Sequence, residues 1–444
     1  MSPLTYAGLI DELFPRLTGG IRWGLERTQR MLASVGEPHR SFRAVHVGGT
    51  NGKGSVGAHV ESILRRAGHR VGLYSSPHLC TFRERIRIDG APITEEALLA
   101  AAERLWPAVR AEAPSFFEAT TAIAFLALAD AGVETAVVEV GLGGRLDATN
   151  VVVPEVVVLT NVSLDHVQLL GPTLADVARE KAGIIKRGIP VVTAESRGVA
   201  ADLFRGTADS AGAPLRLVTP DMIRDIAAAA DCTEFTLSGT DWGELRLRTP
   251  LAGRHQAANA ALAVHALDVA PALRPDVHAV TEGVARVLWP GRLQVKRAGG
   301  VTWILDVAHN VAGIESLVAA LAELAFPQPV AALVGVLGDK DWRGMLAPLD
   351  AAVDRTILTV PPTAPADRRW NPAEALAAAP SDHAEIEADF TAALERAHAF
   401  AAEAGGSVVV TGSFHTVGDA LAALGLCADG SDFVIESPAF SSPP

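Results

Sequence analysis

Residues 46–56 read HVGGTNGKGSV, and this stretch joins a mostly apolar run, residues 42–47, to a helix-like run, residues 56–67. The standard phosphate loop, G-x-x-x-x-G-K-[ST], requires a glycine at the position that Val47 occupies. The standard motif therefore fails here. A shorter loop remains, Gly49-Thr50-Asn51-Gly52-Lys53-Gly54-Ser55.

The shorter loop keeps the features that bind phosphate. Its glycines allow successive backbone N–H groups to turn toward an anion, the helix that follows offers its positive end, and Lys53 adds a mobile cation. A glycine-rich turn between strand and helix is also common as a purely structural feature. Such a turn has no use for a lysine between two glycines, so the loop predicts nucleotide phosphate binding.

Length and charge limit the possible partners. A chain of 444 residues is long for one domain, which predicts two domains with full cores. The net charge of −13 argues against nucleic acid or an acidic membrane surface as the main partner. No apolar run reaches eighteen residues, and Asp11 and Glu12 interrupt the N-terminal apolar stretch. The sequence thus predicts neither export nor a membrane span.

The three cysteines suggest a compartment. Cys80, Cys232 and Cys427 are odd in number and widely spaced, which fits neither a disulfide framework nor a zinc site. We therefore expect unpaired thiols in a reducing cytoplasm.

Strand-length apolar runs alternate with helix-length segments along the chain, and this rhythm predicts a mostly parallel sheet covered by helices. The first strands predicted are residues 44–47, 71–74, 135–140 and 156–160, and residues 231–251 alternate like a hairpin. A second rhythm predicts strands at 303–307, 331–336, 355–359 and 407–411.

The two rhythms predict an α/β protein with two domains. Residues 1–296 form a P-loop ATPase-like domain with a mostly parallel sheet, and residues 297–427 form a smaller Rossmann-like α/β domain. The segment Trp289-Pro290-Gly291-Arg292 links them, and residues 428–444 are predicted to be a flexible tail.

Polar residues follow three of the predicted strands. Ser76 follows the second strand, Glu139 ends the third, and His166 comes shortly after the fourth. Ligands of open α/β sheets bind at the carboxyl ends of the strands, so these side chains are expected beside the phosphate loop. Together they make a plausible magnesium shell, although histidine is an unusual ligand for this ion. A structural role remains open for each one alone.

Four further residues draw attention. Lys181 lies in a predicted helix among small and apolar neighbours, although it could be an ordinary surface lysine. Asp306 and His309 end the first strand of the second domain and face any ligand held between the domains. Arg292 lies in the linker, where it could couple nucleotide binding to domain movement.

The chain resembles the folylpolyglutamate synthase and dihydrofolate synthase family, relatives of the Mur ligases. The resemblance extends from about residue 20 to residue 420 and rests on motifs in a fixed order. They are GTNGKGS at 49–55, YSSPHL at 74–79, FFE at 116–118, EVGLGGRLDATN at 139–150, LDH at 164–166, GPT at 171–173, REKAGI at 179–184, GRHQAANAALA at 253–263, PGRLQ at 290–294, LDVAHN at 305–310 and TGSFHTVGD at 411–419.

The resemblance implies a role for each matching position. ATP would contact Thr50, Asn51, Gly52, Lys53, Gly54, Ser55, Asn259, Arg292 and Asp306, and Mg²⁺ would contact Ser76, Glu139 and His166. The pterin substrate would contact Ser115, Phe116, Phe117, Glu118, Leu146, Asp147 and Ala148. Lys181 resembles a carbamylated lysine, and His309 resembles a residue on the glutamate side, so both join Lys53 and Asp306 as expected catalytic residues.

The implied reaction is amide ligation driven by ATP. A carboxylate of dihydropteroate or of a reduced folate would form an acyl phosphate, which the amine of L-glutamate would attack. The pterin motifs resemble those of members with both activities, although a monofunctional folylpolyglutamate synthase stays open. A Mur ligase or a nucleotide switch is less favoured, because few residues precede the loop and because Asp306 and His309 would have no use in a switch. By analogy we expect a monomer.

Overall fold

Two large sheets, one in each half of the chain, and a small three-stranded sheet organise this computed structural model, which describes residues 4–17 and 23–427. The predicted flexible tail, residues 428–444, lies outside the described residues. No helix in the described part of the chain is both long and apolar enough to cross a membrane.

An eight-stranded sheet with the strand order β4-β3-β2-β5-β1-β6-β7-β8 forms the larger half. The strands are β1 (Arg43–Gly48), β2 (Val71–Tyr74), β3 (Ile86–Ile88), β4 (Ala91–Pro92), β5 (Thr135–Glu139), β6 (Val156–Leu159), β7 (Val191–Thr193) and β8 (Leu215–Leu217). The pairings β2–β3 and β3–β4, at one end of the sheet, are antiparallel, and the other pairings are parallel.

Helices cover both faces of this sheet. They are α1 (Tyr6–Leu13), α2 (Glu26–Ser34), α3 (Lys53–Arg66), α4 (Glu95–Glu112), α5 (Phe116–Asp130), α6 (Val167–Leu170), α7 (Leu174–Ala182), α8 (Gly198–Ala211), α9 (Arg254–Asp268) and α10 (Val277–Ala285). Successive side chains of β5 point to opposite faces: Val137 packs in the cluster that contains α3, whereas Val138 packs in the cluster that contains α5. The predicted mostly parallel sheet is confirmed.

The predicted hairpin at residues 231–251 is also confirmed. Strands β10 (Cys232–Thr240) and β11 (Gly243–Thr249) pair antiparallel, and β9 (Ile223–Ala229) adds a third strand that the sequence did not predict. Three consecutive alanines at the end of β9 give no alternation of apolar and polar residues, which explains why this strand was missed.

The C-terminal half is a second, mixed sheet with the order β12-β13-β17-β14-β15-β16, in which only β12 is antiparallel. Its strands are β12 (Gln294–Ala298), β13 (Val301–Leu305), β14 (Val330–Val334), β15 (Arg355–Leu358), β16 (Ala384–Ile386) and β17 (Ser407–Thr411). Its helices are α11 (Val311–Leu324), α12 (Trp342–Asp350), α13 (Pro372–Ala378), α14 (Phe390–Ala402) and α15 (Phe414–Ala423). The predicted domain boundary at residue 297 falls inside β12.

Strand direction positions the site. The parallel strands β2, β5, β1 and β6 bring their carboxyl ends to one edge of the larger sheet, next to the loop before α3. The eight predicted strands lie within two residues of observed ones. Their order along the sheet, which the sequence did not predict, places β1 between β5 and β6.

One disulfide corrects the reading of the cysteines. Cys80, which follows β2, is bonded to Cys427, which follows α15, so the bond joins the two halves of the chain. Cys232 is free. The expectation of unpaired thiols was wrong because two residues 347 positions apart meet only in the folded chain. Cysteine usage therefore gives no support for a reducing compartment.

The pairing predicts the number of reactive thiols. Protein purified without reductant and then denatured should show one thiol per chain to a thiol reagent, contributed by Cys232, and three after reduction. Replacing both Cys80 and Cys427 with serine should lower the unfolding midpoint in guanidinium, because the disulfide stabilises by about 2–4 kcal/mol. Cys232→Ser, the matched control, should leave the midpoint unchanged. Three thiols before reduction would contradict the pairing.

Candidate active site

A cavity of about 430 Å³ lies at the edge of the larger sheet and is lined by both halves of the chain. Most of the residues that the sequence singled out are in its lining. They are Thr50, Asn51, Gly52, Lys53, Gly54, Ser55, Ser76, Glu139, His166, Lys181, Asn259, Arg292, Asp306 and His309. The residues predicted to contact phosphate, metal and nucleotide thus surround one space.

The loop between β1 and α3 is held by the residues that follow β6. The Thr50 N–H donates to the Asn161 carbonyl at 2.8 Å, and the Asn51 N–H donates to Asn161 Oδ1 at 2.9 Å. Thr160 Oγ1 donates to the Asn51 carbonyl at 2.6 Å. These bonds fix the loop at the start of α3, where the unpaired N–H groups of the first turn favour an anion.

Two glycines of this loop leave no room for a side chain. Gly49 has φ 136°, and a Cβ there would lie 1.8 Å from Thr160 Oγ1. Gly52 has φ 86°, and a Cβ there would lie 2.5 Å from Asn259 Oδ1. Backbone conformation and close packing both require glycine at these two positions.

Two lysines flank the loop, Lys53 partly buried and Lys181 buried. Lys53 Nζ donates to the Thr50 carbonyl at 3.0 Å, and Lys181 Nζ donates to the Gly49 carbonyl at 2.7 Å. Burial lowers the pKa of both, and together with the charge of Lys53 it lowers the pKa of Lys181 to about 7. Near neutral pH a large fraction of Lys181 is therefore an uncharged amine.

Glu139 and Ser76 meet at the ends of β5 and β2. The Ser76 N–H donates to Glu139 Oε2 at 3.2 Å. Burial raises the pKa of the Glu139 carboxyl, although the charge of Lys53 acts in the opposite direction. A nearby cation would therefore stabilise the ionised carboxylate.

His166 is the N-cap residue just before α6 and has a left-handed backbone, φ 52°. Burial, and then the charge of Lys340, lower the pKa of His166 to about 4, so its imidazole is neutral at pH 7. Lys340 Nζ lies 3.3 Å from His166 Nε2 and donates to it. The lone pair on Nε2 is thus already used, and His166 would have to release Lys340 before binding a metal through this atom.

The donor set fits magnesium only with phosphate oxygens beside it. Ser76, Glu139 and His166 offer one hydroxyl, one carboxylate and one imidazole, whereas Mg²⁺ prefers an octahedron of oxygens. In the described ranges no group of three or more His, Cys, Asp or Glu residues is arranged to hold a metal. A metal here would therefore depend on a bound nucleotide.

The C-terminal half supplies a second set of charges. Asp306 follows β13 and accepts hydrogen bonds from the N–H groups of Leu293, at 2.8 Å, and Ala308, at 2.9 Å. Burial raises its pKa, against the charge of Arg292. The guanidinium of Arg292 lies over the ring of Phe414, with 5.0 Å from Cζ to the ring centroid. The linker arginine and the carboxylate after β13 therefore share one wall of the cavity.

His309 presents one ring nitrogen to the other half of the chain. Its Nδ1 donates to the Val307 carbonyl at 2.9 Å, and its Nε2 lies 3.7 Å from Asp165 Oδ2. Burial, and then the charge of Lys340, lower the pKa of His309 to about 3. Its imidazole is therefore neutral at pH 7.

Comparison with known proteins identifies the family. The Mur ligase middle domain matches residues 47–267, and the Mur ligase glutamate ligase domain matches residues 291–414. The dihydrofolate synthase/folylpolyglutamate synthase of Bacillus subtilis (strain 168) is 36% identical over 346 residues, which cover 76% of this chain and 80% of that protein. The chain belongs to the dihydrofolate synthase/folylpolyglutamate synthase family of the Mur ligases.

Solved structures from this family share the fold. Mycobacterium tuberculosis folylpolyglutamate synthase, complexed with ADP and AMPPCP, is 33% identical with a TM-score of 0.86, and the match covers 94% of this chain and 98% of that one. E. coli FolC, in complex with DHPP and ADP, is 33% identical with a TM-score of 0.83, covering 95% and 97%. Both complexes contain ADP.

The residues predicted to contact the pterin are not in the cavity lining. They are Ser115, Phe116, Phe117, Glu118, Leu146, Asp147 and Ala148. Several make structural contacts instead. Ser115 and Glu118 form the capping box of α5, Glu118 pairs with Arg27 at 2.9 Å, and Asp147 accepts the Leu142 N–H at 2.8 Å. Two of them contact lining residues: the ring of Phe117 packs against Gly141, and Asp147 binds Leu142.

Some residues at the site were missed from the sequence. Asp165, which lines the cavity, precedes His166 in the motif LDH, and Asn310, which binds Asn51 of the loop, ends LDVAHN, yet neither was given a role. Lys340 follows β14 and was not singled out at all. The available signal was a polar residue shortly after a strand, the same signal that identified Glu139 and His309.

Gly49 gives a direct test of the loop. Gly49→Ala should weaken ADP binding by about tenfold or more, because a methyl group there collides with Thr160 and moves the loop. Isothermal titration calorimetry would measure the dissociation constant. Gly68→Ala is the matched control, since Gly68 also has a positive φ, 88°, but has open space around its Cβ position. Equal ADP affinity in the two variants would contradict the assignment of the loop.

Proposed function

We propose that this chain is an ATP-dependent ligase that adds L-glutamate to dihydropteroate and to the glutamate tail of reduced folates, releasing ADP and phosphate. The observation that carries the proposal is the shared cavity. One wall bears the phosphate loop with Lys53 and Glu139, and the opposite wall bears Arg292, Asp306 and His309. A ligase must bring ATP, a carboxylate and an amine together, and a cavity between two domains provides that space.

The first step activates a carboxylate. An oxygen of the folate or pteroate carboxylate attacks the γ-phosphorus of ATP, the bond to the β-phosphate oxygen breaks, and ADP leaves. Negative charge spreads over the γ-phosphate oxygens during this transfer. The N–H groups at the start of α3 and the ammonium of Lys53 are placed to stabilise that charge, and Arg292 adds a cation from the linker.

The second step forms the amide. The amine of L-glutamate attacks the acyl phosphate carbonyl, inorganic phosphate leaves with the bonding pair, and the nitrogen loses a proton. His309 is proposed to lie on the glutamate side. With its pKa near 3 it is a weak base, so its proposed part is to orient the amine through a hydrogen bond. Closure of the two domains would keep water from the acyl phosphate.

A magnesium ion forms part of the proposal. Glu139 and Ser76 would hold it together with phosphate oxygens, and His166 would join them once Lys340 is displaced from Nε2. The ion would supply positive charge to the phosphates. Carbamylated Lys181 is also proposed, because carbon dioxide reacts with an uncharged amine and the pKa of about 7 keeps much of Lys181 uncharged.

The site residues also help to choose between the ligase and the alternative functions. Asp306 and His309 in the lining favour a ligase over an NTPase that only hydrolyses ATP. The choice between one and two glutamate-adding activities depends on the pterin site, where Phe117 beside Gly141 supports substrate contact at the rim of the cavity. A monomer is proposed because one chain supplies both walls of the cavity.

A product assay tests the proposal. Purified protein receives ATP, Mg²⁺ and L-glutamate, with dihydropteroate in one sample and tetrahydrofolate in another, and mass spectrometry follows products while ADP is measured. We expect one added glutamate in both samples. Product in one sample alone would assign a single activity, and ADP without product in either would overturn the ligase proposal.

Lys53 is the matched test within this assay. Lys53→Ala should reduce ligation by about 100-fold or more, because it removes a charge from the site where the phosphoryl group moves. Lys296→Ala is the control, since Lys296 is exposed on β12 and should tolerate the change. Full activity of the Lys53 variant would exclude its proposed role.

Carbamylation of Lys181 predicts a chemical signature. Wild-type protein supplied with ¹³C-bicarbonate should show a carbamate signal in its ¹³C NMR spectrum, and Lys181→Ala should lack it. The variant should turn over slowly and regain part of its activity with added short-chain carboxylates, which replace the lost negative group. Identical spectra from the two proteins would leave no support for carbamylation.

A further inference from the structure

A buried ion pair connects the two domains beside the cavity. Asp165 belongs to the segment after β6 of the larger domain, and Lys340 belongs to the segment after β14 of the smaller one. Lys340 Nζ donates to Asp165 Oδ1 at 2.6 Å. The side chains are only 7% and 10% exposed for Lys340 and Asp165, respectively. Such a pair is screened little by water, and removal of one partner leaves the other charge buried and unpaired.

Asp165 contacts more of the smaller domain than Lys340 alone. Asn310 Nδ2 donates to Asp165 Oδ2 at 3.3 Å, and His309 Nε2 lies 3.7 Å from the same oxygen. Asn310 also exchanges hydrogen bonds with Asn51 of the phosphate loop, at 3.0 and 3.2 Å. The carboxylate therefore accepts hydrogen bonds from two side chains of the smaller domain, Lys340 and Asn310, and the ring of His309 lies beside it.

Lys340 differs from its neighbours in position. Asp165, His166 and His309 line the cavity, whereas Lys340 is not among the lining residues. Lys340 nevertheless contacts Asp165 and donates to His166 Nε2 at 3.3 Å. Lys340 therefore affects the cavity indirectly, through Asp165 and His166, which line it.

We propose that Asp165 and Lys340 form an interdomain latch that positions His309 and Asn310 against the phosphate loop. Both are positioning residues for the ligation step, and this role rests on the proposed function of the site. When the latch forms, the wall that bears His309 and Asn310 lies against the wall that bears the phosphate loop. When it is broken, the two walls separate, and nucleotide keeps its contacts with the phosphate loop of the larger domain.

A double-mutant cycle tests the latch. Asp165→Asn and Lys340→Gln should each lower kcat/KM for L-glutamate by at least about tenfold, because each leaves a buried charge without its partner. The double variant should lose no more than the worse single variant. The affinity for ADP should fall less than kcat/KM for L-glutamate in all three, because the phosphate loop belongs to the larger domain and stays intact. Losses that multiply in the double variant would overturn the latch.

A second readout separates the latch from a direct contact with substrate. Small-angle X-ray scattering, recorded with reductant so that the Cys80–Cys427 bond does not hold the domains, should show a larger radius of gyration for both single variants. A loss of activity in Asp165→Asn alone, with Lys340→Gln active and compact, would assign Asp165 to substrate binding and refute the latch. The scattering result does not depend on the ligase assay. Failure of the proposed function can therefore be distinguished from failure of the latch.

The chain contains a matched control. Arg254 of α9 and Glu323 of α11 also form an interdomain ion pair, at 2.8 Å, but their side chains are 57% and 33% exposed. Exposed pairs contribute little in water. Glu323→Gln should therefore keep wild-type activity and wild-type scattering. A loss in Glu323→Gln equal to that in Lys340→Gln would show that any interdomain charge matters and would also overturn a specific latch.

Discussion

The packing of the phosphate loop against the end of β6 is the constraint on which the rest of the site depends. Gly49 lies so close to Thr160 that no side chain fits at this position. Asn161 accepts hydrogen bonds from the backbone N–H groups of Thr50 and Asn51, which fixes the course of the loop. The loop is thus anchored to a neighbouring strand as well as to its own helix. That anchoring lets a loop shorter than the standard motif hold its N–H groups at the end of α3.

Burial of charge is the second constraint on the site, and it follows from the packing of the phosphate loop against the end of β6. The cavity gathers Lys53, Lys181, Glu139 and Asp306 where little water reaches them, so burial lowers the pKa of the lysines and raises that of the acids. Each charged form is then less favourable than it would be in water. A nucleotide with a metal would offer those groups partners, which gives the folded chain an electrostatic reason to bind it.

The sequence predicted what local pattern can encode. Apolar runs located the eight predicted strands, and polar residues after strands located Glu139 and His309, because parallel strands bring their ends to one edge. Contacts between distant segments were out of reach. The bond between Cys80 and Cys427 and the pair of Asp165 with Lys340 join residues that only the folded domains bring together.

Communication between the domains follows from where these distant contacts lie. The disulfide joins the segment after β2 to the end of α15, whereas the Asp165–Lys340 pair joins the segments after β6 and β14. The two connections flank the cavity from different strands, and the linker with Arg292 makes a third. These connections, one covalent, one ionic and one through the backbone, restrict the domains to a small set of arrangements together with the Arg254–Glu323 pair and the Asn51–Asn310 hydrogen bonds. The buried ionic connection can break and reform within a catalytic cycle without any redox partner, which makes it compatible with domain closure at this site.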